Sequence, residues 1–194
     1  MMTLPNILTI FRILLTPVFI LCLFAEFHNA QFWALFIFIV ASITDAYDGY
    51  YARKNDMVTD TGKFLDPLAD KILVSSAFIS FAVMGLIDFW MVTLIIFRDL
   101  FVTGLRVIMS RKGFNMMTSQ IAKSKTSVQI SIIIFTLTIV SLKGINWFIV
   151  TDYLTFVKEY ELVYYLTMVT VLFTLYTGFT YIQENRKAIK EMMN

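Results

Sequence analysis

Asp45-Ala46-Tyr47-Asp48-Gly49-Tyr50-Tyr51-Ala52-Arg53 and, after eight residues from Lys54 to Thr61, Gly62-Lys63-Phe64-Leu65-Asp66-Pro67-Leu68-Ala69-Asp70-Lys71 each carry two carboxylates, and the whole stretch lies between two apolar runs. Gln31–Thr44 before them and Ile72–Ile87 after them hold no charged residue. The pattern reads as helix, polar loop, helix, and a loop this short predicts antiparallel neighbours. Asp45 and Asp48 are spaced i,i+3, and Asp66 and Asp70 i,i+4. Each pair therefore projects from one helix face, and the two pairs are predicted to face each other.

Four carboxylates converging in a low dielectric do not all stay ionised without cations. Divalent metal answers that need, and oxygen-only ligands with no His or Cys nearby favour Mg²⁺ or Mn²⁺ over Zn²⁺. Two such cations held by four aspartates suit a pyrophosphate, whose phosphoryl oxygens and leaving group they clamp. Gly49 and Ala52 leave room for a bulky ligand on the carboxylate face. Arg53 at the mouth is placed to pair with a phosphate. Pro67 is expected in the first turn of the second helix, where N–H groups have no helical partner to lose. A lone aspartate here reads equally well as half of a buried ion pair with Lys71 or Arg12; four at these spacings favour the metal cluster.

Outward from this stretch the chain stays apolar. Of 194 residues, 58% are hydrophobic and 15% charged, and the mean hydropathy is +0.74. A soluble domain is about 45–50% apolar and about 25% charged. Nineteen phenylalanines exclude disorder. Seven glycines and three prolines with no period exclude collagen-like or repeat architecture. An all-α integral membrane protein remains, one domain over residues 1–194. At about 20 residues per crossing it has about six transmembrane helices, predicted near 5–25, 31–53, 64–87, 89–110, 123–143 and 161–182. The first is read as a retained helix, since it carries Arg12 and no small-residue cleavage site follows. A net charge of +2 gives no case for nucleic acid, and the single cysteine, Cys22, has no partner for an internal disulfide.

Six crossings put both termini on one side. That side gathers Arg53, Lys54, Lys63, Arg111, Lys112, Lys123, Lys125, Arg186, Lys187 and Lys190, against Lys143 and Lys158 opposite. The asymmetry makes the basic side cytoplasmic. Asn146–Tyr160 on the far side, rich in aromatics, reads as an interfacial belt. Arg12, Asp45, Asp48, Asp66, Asp70, Lys71, Arg98, Asp99 and Arg106 fall inside the spans, where each costs about 3 kcal/mol at mid-membrane. Most lie in the cytoplasmic third and outline one polar cavity. Arg98 and Asp99 sit deeper. Adjacent helical residues point about 100° apart, so these two are expected to pair with other helices and not with each other, supporting the fold or the pocket.

The spacing Asp-x-x-Asp-Gly-x-x-Ala-Arg, eight residues, Gly-x-x-x-Asp-x-x-x-Asp resembles the signature of the CDP-alcohol phosphotransferase family. Asp45, Asp48, Gly49, Ala52, Arg53, Gly62, Asp66 and Asp70 fill its fixed positions. The resemblance implies six transmembrane helices, a homodimer, and two divalent metals near the cytoplasmic face of the cell membrane. It implies transfer of a substituted phosphate from a CDP-linked donor to an alcohol, with release of CMP. Asp70 is implied as general base and metal ligand, and Asp45, Asp48 and Asp66 mainly as metal ligands.

Pro5 to Arg12, Arg98-Asp99 through Gly104-Leu105-Arg106, and Lys123-Ser124-Lys125-Thr126-Ser127-Val128-Gln129 resemble the branch of that family joining CDP-diacylglycerol to glycerol 3-phosphate. Ala122 departs from the glycine expected there. Glycerol 3-phosphate is a small dianion, and Arg106, Lys123, Lys125 and Arg12 are the cations placed to receive it. Asn6 and Thr9 join Gly49, Ala52, Arg53 and Gly62 as candidate contacts of CDP-diacylglycerol. Two alternatives stay open: another acceptor, such as phosphatidylglycerol, inositol phosphate or serine, and a divalent-cation transporter using the four aspartates. A transport site is expected nearer the midplane, between repeats.

Overall fold

The computed structural model describes the backbone of residues 4–54, 60–112, 120–143 and 148–193, and side chains for residues 9–45, 71–110, 112, 124–143, 150–186 and 188–191. These residues form helices and turns only: α1 (Leu4–Phe24), α2 (Ala30–Lys54), α3 (Asp60–Val83), α4 (Phe89–Arg111), α5 (Gln120–Leu142), α6 (Phe148–Glu159), α7 (Leu162–Glu184) and α8 (Arg186–Met193).

Six long helices close a ring. In order around it, α2 packs on α1, α1 on α3, α3 on α4, α4 on α7, α7 on α5, and α5 back on α2. Across the ring α3 also meets α5. The two aspartate-bearing helices are thus both lined by α1, while α5 approaches α3 from the other side.

Many large apolar side chains lie on the outside of the bundle, and several polar ones lie inside it. Leu21 is 71% exposed, Phe179 68% and Phe97 64%, whereas Arg12, Thr167, Thr174 and Thr177 are wholly buried. Exposed apolar side chains in this number suit hydrocarbon surroundings better than water. The interior is closed by aromatic and small residues such as Phe19 against Phe38, with Ala34, Ala41 and Ala77 beside them. Helices in lipid lack a hydrophobic drive toward one another, so small residues and buried hydroxyls hold them instead. On α7, Thr167, Thr170, Thr174 and Thr177 form such a stripe. Two helices, Ser124–Leu142 and Leu162–Glu184, are long and apolar enough to cross a membrane; Thr9–Phe24, Ala30–Asp45 and Lys71–Val83 are shorter apolar stretches among the described residues.

Three expectations shift. α3 begins at Asp60 rather than near 64, so Pro67 lies beyond the first turn, in the helix interior, where its missing N–H does cost a backbone bond. α3 ends at Val83, not 87. Gly85 takes φ +70°, and the Gly85 and Leu86 amides donate to the carbonyls of Ala82 and Phe81, a pairing that stops the helix. Two further helices appear. α6 occupies the aromatic segment read as an interfacial belt, and α8 follows Asn185. α6 is too short to register as a span, and Arg186, Lys187 and Lys190 interrupt any apolar run in α8.

Candidate active site

Thr9 and Arg12 stand three residues apart on α1 and so share one face. Thr9 and Arg12 are completely buried, and the Arg12 guanidinium forms an ion pair with Asp45 of α2. A buried arginine is tolerated only against an anion, and this contact ties the first helix to the carboxylate helix. The backbones of Asp48, Gly49, Ala52 and Arg53 continue along α2, and those of Gly62, Asp66 and Asp70 along α3. The side chains of Asn6, Asp48, Ala52, Arg53, Asp66 and Asp70, and the surroundings of Gly49 and Gly62, lie outside the described residues, as does the side chain of Lys123. Among the described residues no three His, Cys, Asp or Glu side chains gather. Asp45 is engaged in the ion pair with Arg12 that the sequence left open as the alternative for a single aspartate, while the four aspartates offer only hard carboxylate oxygens as donors. By donor chemistry alone, that set is the kind Mg²⁺ or Mn²⁺ takes.

A second polar centre lies between α4, α5 and α7. Asp99, 7% exposed, receives the Lys125 ammonium on Oδ1, and the Gln129 amide donates to Oδ2 at 3.3 Å. Lys125 and Gln129 are i,i+4 on α5, so one face supplies both. Arg98 Nη1 donates to Asp99 Oδ1 at 3.2 Å and Nη2 to Thr177 Oγ1 at 2.9 Å. Arg98 and Asp99 do pair with each other, contrary to the expectation from their 100° separation. The long arginine stem bridges that angle and still reaches α7. Beside this cluster a void of about 10 Å³, room for one water, is lined by Lys71, Val74 and Ser75 of α3, Asp99 of α4, and Lys125, Thr126 and Gln129 of α5.

Gly178 makes the Arg98 path passable. A Cβ there would stand 3.0 Å from both Cγ and Nε of Arg98. Gly178→Ala is expected to force Arg98 off Thr177 and destabilise the protein by about 1–3 kcal/mol, the usual cost of overpacking. Thermal unfolding in detergent measures it; an unchanged midpoint would show that Arg98 moves aside freely.

Two turns after Asp99 on α4, the Arg106 guanidinium stacks over the buried Tyr181 ring of α7 at 5.5 Å, and its Nε donates to the Tyr181 hydroxyl at 3.3 Å. Cation–π and hydrogen-bond contacts together fix the head of this arginine.

The sequence profile described as CDP-alcohol phosphatidyltransferase matches residues 2–176. The chain belongs to the CDP-alcohol phosphatidyltransferase family. It is 37% identical to a Bacillus subtilis (strain 168) protein over 207 aligned positions, covering 98% of each chain. It is likewise 37% identical to a Rickettsia bellii (strain RML369-C) protein over 95% of this chain and 96% of that one. A Wigglesworthia glossinidia brevipalpis protein is 39% identical over 66% of this chain and 72% of its own. All three are named CDP-diacylglycerol–glycerol-3-phosphate 3-phosphatidyltransferase.

Within this CDP-alcohol phosphatidyltransferase, the cations expected to share one acceptor cavity divide. Arg12 sits against Asp45 between α1 and α2, whereas Lys125 and Arg106 belong to the α4–α5–α7 side. The sequence assigns no role to Gln129, Thr177, Gly178 or Tyr181. Their signals are present, an i,i+4 polar pair on α5 and a threonine stripe in an apolar span, but neither pattern names its partner helix.

Proposed function

We infer that the chain transfers the phosphatidyl group from CDP-diacylglycerol to sn-glycerol 3-phosphate, giving phosphatidylglycerophosphate and CMP. The observation that carries this reading is the end-to-end match to the Bacillus subtilis protein of that name. The complete aspartate signature along α2 and α3 supports it. We further propose a homodimer with six spans, α1 to α5 and α7, both termini and the active site facing the cytoplasm of the cell membrane. The excess of Lys and Arg on one side supports that orientation.

Asp45, Asp48, Asp66 and Asp70 would hold two divalent cations, Mg²⁺ or Mn²⁺, which supply charge neutralisation for the donor pyrophosphate and the departing CMP. Asn6, Thr9, Gly49, Ala52, Arg53 and Gly62 frame the donor, whose acyl chains stay in lipid. Asp70 takes the proton from the primary hydroxyl of the acceptor, and that oxygen attacks the phosphorus bearing diacylglycerol as its bond to CMP breaks. Arg106, Lys123 and Lys125 serve the acceptor's phosphate. Arg12 acts elsewhere, aiming the Asp45 carboxylate from α1.

Purified protein with CDP-diacylglycerol and Mg²⁺ is expected to release CMP with glycerol 3-phosphate and far less with glycerol, serine or inositol. A neutral alcohol leaves the cations unpaired, and discrimination by unpaired partners reaches about 10⁴. Arg106→Ala should raise KM for glycerol 3-phosphate more than KM for CDP-diacylglycerol, and Lys123→Ala should do so less. A preference for phosphatidylglycerol, or an Arg106→Ala protein that uses glycerol 3-phosphate normally, would overturn the acceptor while leaving the family intact.

A further inference from the structure

We propose that Tyr181 is a positioning residue of the acceptor site, taking up the Nε edge of Arg106 so that its two terminal nitrogens meet the acceptor's phosphate as a fork. The proposal rests on Arg106 serving that phosphate.

Two arginines of α4 turn onto α7, and α7 holds them in different ways. Thr177 and Tyr181, i,i+4 on α7, receive Arg98 and Arg106 respectively. Arg98 spends its terminal nitrogens inside the protein, Nη1 on Asp99 and Nη2 on Thr177, and its side chain is 10% exposed. Arg106 spends Nε instead, on the Tyr181 hydroxyl at 3.3 Å, and the residue is exposed. Among the described residues its Nη1 and Nη2 have no hydrogen-bond partner, and no carboxylate pairs with it. The first arginine fastens helices. The second keeps its charge and four N–H donors for a ligand.

A guanidinium grips an oxyanion bidentately through one of two kinds of edge, Nε with a terminal nitrogen or the two terminal nitrogens together. With Nε engaged, the end-on fork remains. Tyr181 is equipped to impose that choice. Its side chain is 1% exposed, so its ring and hydroxyl stand on a packed wall. The ring lies under the guanidinium at 5.5 Å, and the hydroxyl meets Nε, so both tilt and rotation of the head are restrained. The tyrosine backbone is pinned as well, since the buried Asn185 amide side chain donates to the Tyr181 carbonyl at 2.9 Å. Without this hold, an exposed arginine on a helix in lipid snorkels among headgroups, where any phosphate satisfies it.

A tyrosine that merely fills the core would make the same contacts, so the test separates the two roles. KM for glycerol 3-phosphate, KM for CDP-diacylglycerol, turnover number and thermal midpoint are measured in nonionic detergent for wild type, Tyr181→Phe, Arg106→Lys, Arg106→Ala and the double variant Arg106→Ala/Tyr181→Phe. Tyr181→Phe removes the hydroxyl and keeps the ring. It is expected to raise KM for glycerol 3-phosphate about three- to tenfold, with KM for CDP-diacylglycerol and turnover within about twofold and the thermal midpoint little changed. In the Arg106→Ala background the same substitution should alter KM for glycerol 3-phosphate less than about twofold. Arg106→Lys keeps the charge, lacks the fork and leaves the buried wall untouched; it should raise that KM at least as much as Tyr181→Phe does. Added phosphatidylglycerol should leave these ratios unchanged. Four results each overturn the proposal alone: an equal effect of Tyr181→Phe with and without Arg106, a Tyr181→Phe protein with wild-type KM or with both constants and the midpoint shifted together, a wild-type KM in Arg106→Lys, or competition by phosphatidylglycerol that Tyr181→Phe abolishes, which would assign the fork to a lipid phosphate. A normal KM for glycerol 3-phosphate in Arg106→Ala would instead remove Arg106 from the acceptor reading, and this proposal with it.

Discussion

Asp70→Asn is expected to lower the turnover number by about 10²-fold or more, the scale on which a positioned general base contributes. Asparagine keeps the size of the side chain and one coordinating oxygen, but it has no basic oxygen to accept the hydroxyl proton. The loss should therefore fall on turnover. Donor affinity, measured by equilibrium binding of CDP-diacylglycerol or by protection against thermal unfolding, should change little. A normal turnover number in this variant would remove Asp70 from the base role. Loss of donor binding in step with activity would make it a ligand first.

Substitution of the other three aspartates is expected to act differently. Asp45→Asn, Asp48→Asn and Asp66→Asn each remove a charged ligand for a divalent cation and should nearly abolish CMP release, with excess Mn²⁺ partly restoring the weakest of them. Chelation by EDTA should silence the wild type and added Mg²⁺ or Mn²⁺ revive it. Asp45→Asn carries an additional expected effect. Its carboxylate is the partner of the wholly buried Arg12, so this variant alone should also lose thermal stability. Removing one member of a well-buried pair costs about 3–5 kcal/mol, and the 30% exposed Asp45 side chain places the loss below that range. Near wild-type activity in all three variants would defeat the two-metal reading.

The aspartate helices are legible because the spacing of like residues on a helix is a local property. Asp45 with Asp48 and Asp66 with Asp70 declare their shared faces without reference to any other segment. Long apolar runs bounded by charge likewise place α1, α2, α4, α5 and α7 to within a few residues. The start of α3 is harder to read because Pro67 suggests a first turn, whereas the helix tolerates it seven residues in. α6 and α8 fall below the length at which hydropathy speaks. The acceptor side is less legible for a different reason. Basic residues near a cytoplasmic surface serve topology, ligand binding and ion pairing alike, and only the packing of helices distinguishes them. Asp99 meets a lysine 26 residues downstream, and Arg98 a threonine 79 residues downstream, on helices whose neighbourhood no local pattern reveals. Arg12, named from sequence both as an acceptor cation and as an ion-pair partner for an aspartate, is paired with Asp45.

The contact between Arg98 and its own neighbour acquires a purpose during synthesis. On the six-span arrangement α4 leaves the ribosome before Thr177 has been translated, and at about 5–20 residues per second the interval is roughly 4–16 s. An arginine committed to the bilayer in that time would carry its full insertion penalty with no partner on another helix. Asp99 is already attached to it, one peptide bond away, and the pair enters as a neutral unit. Lys125 and then Thr177 add their contacts later, and Arg98 keeps its bond to Asp99 beside them. The order in which the chain is made is thus also the order in which this buried pair gains its partners.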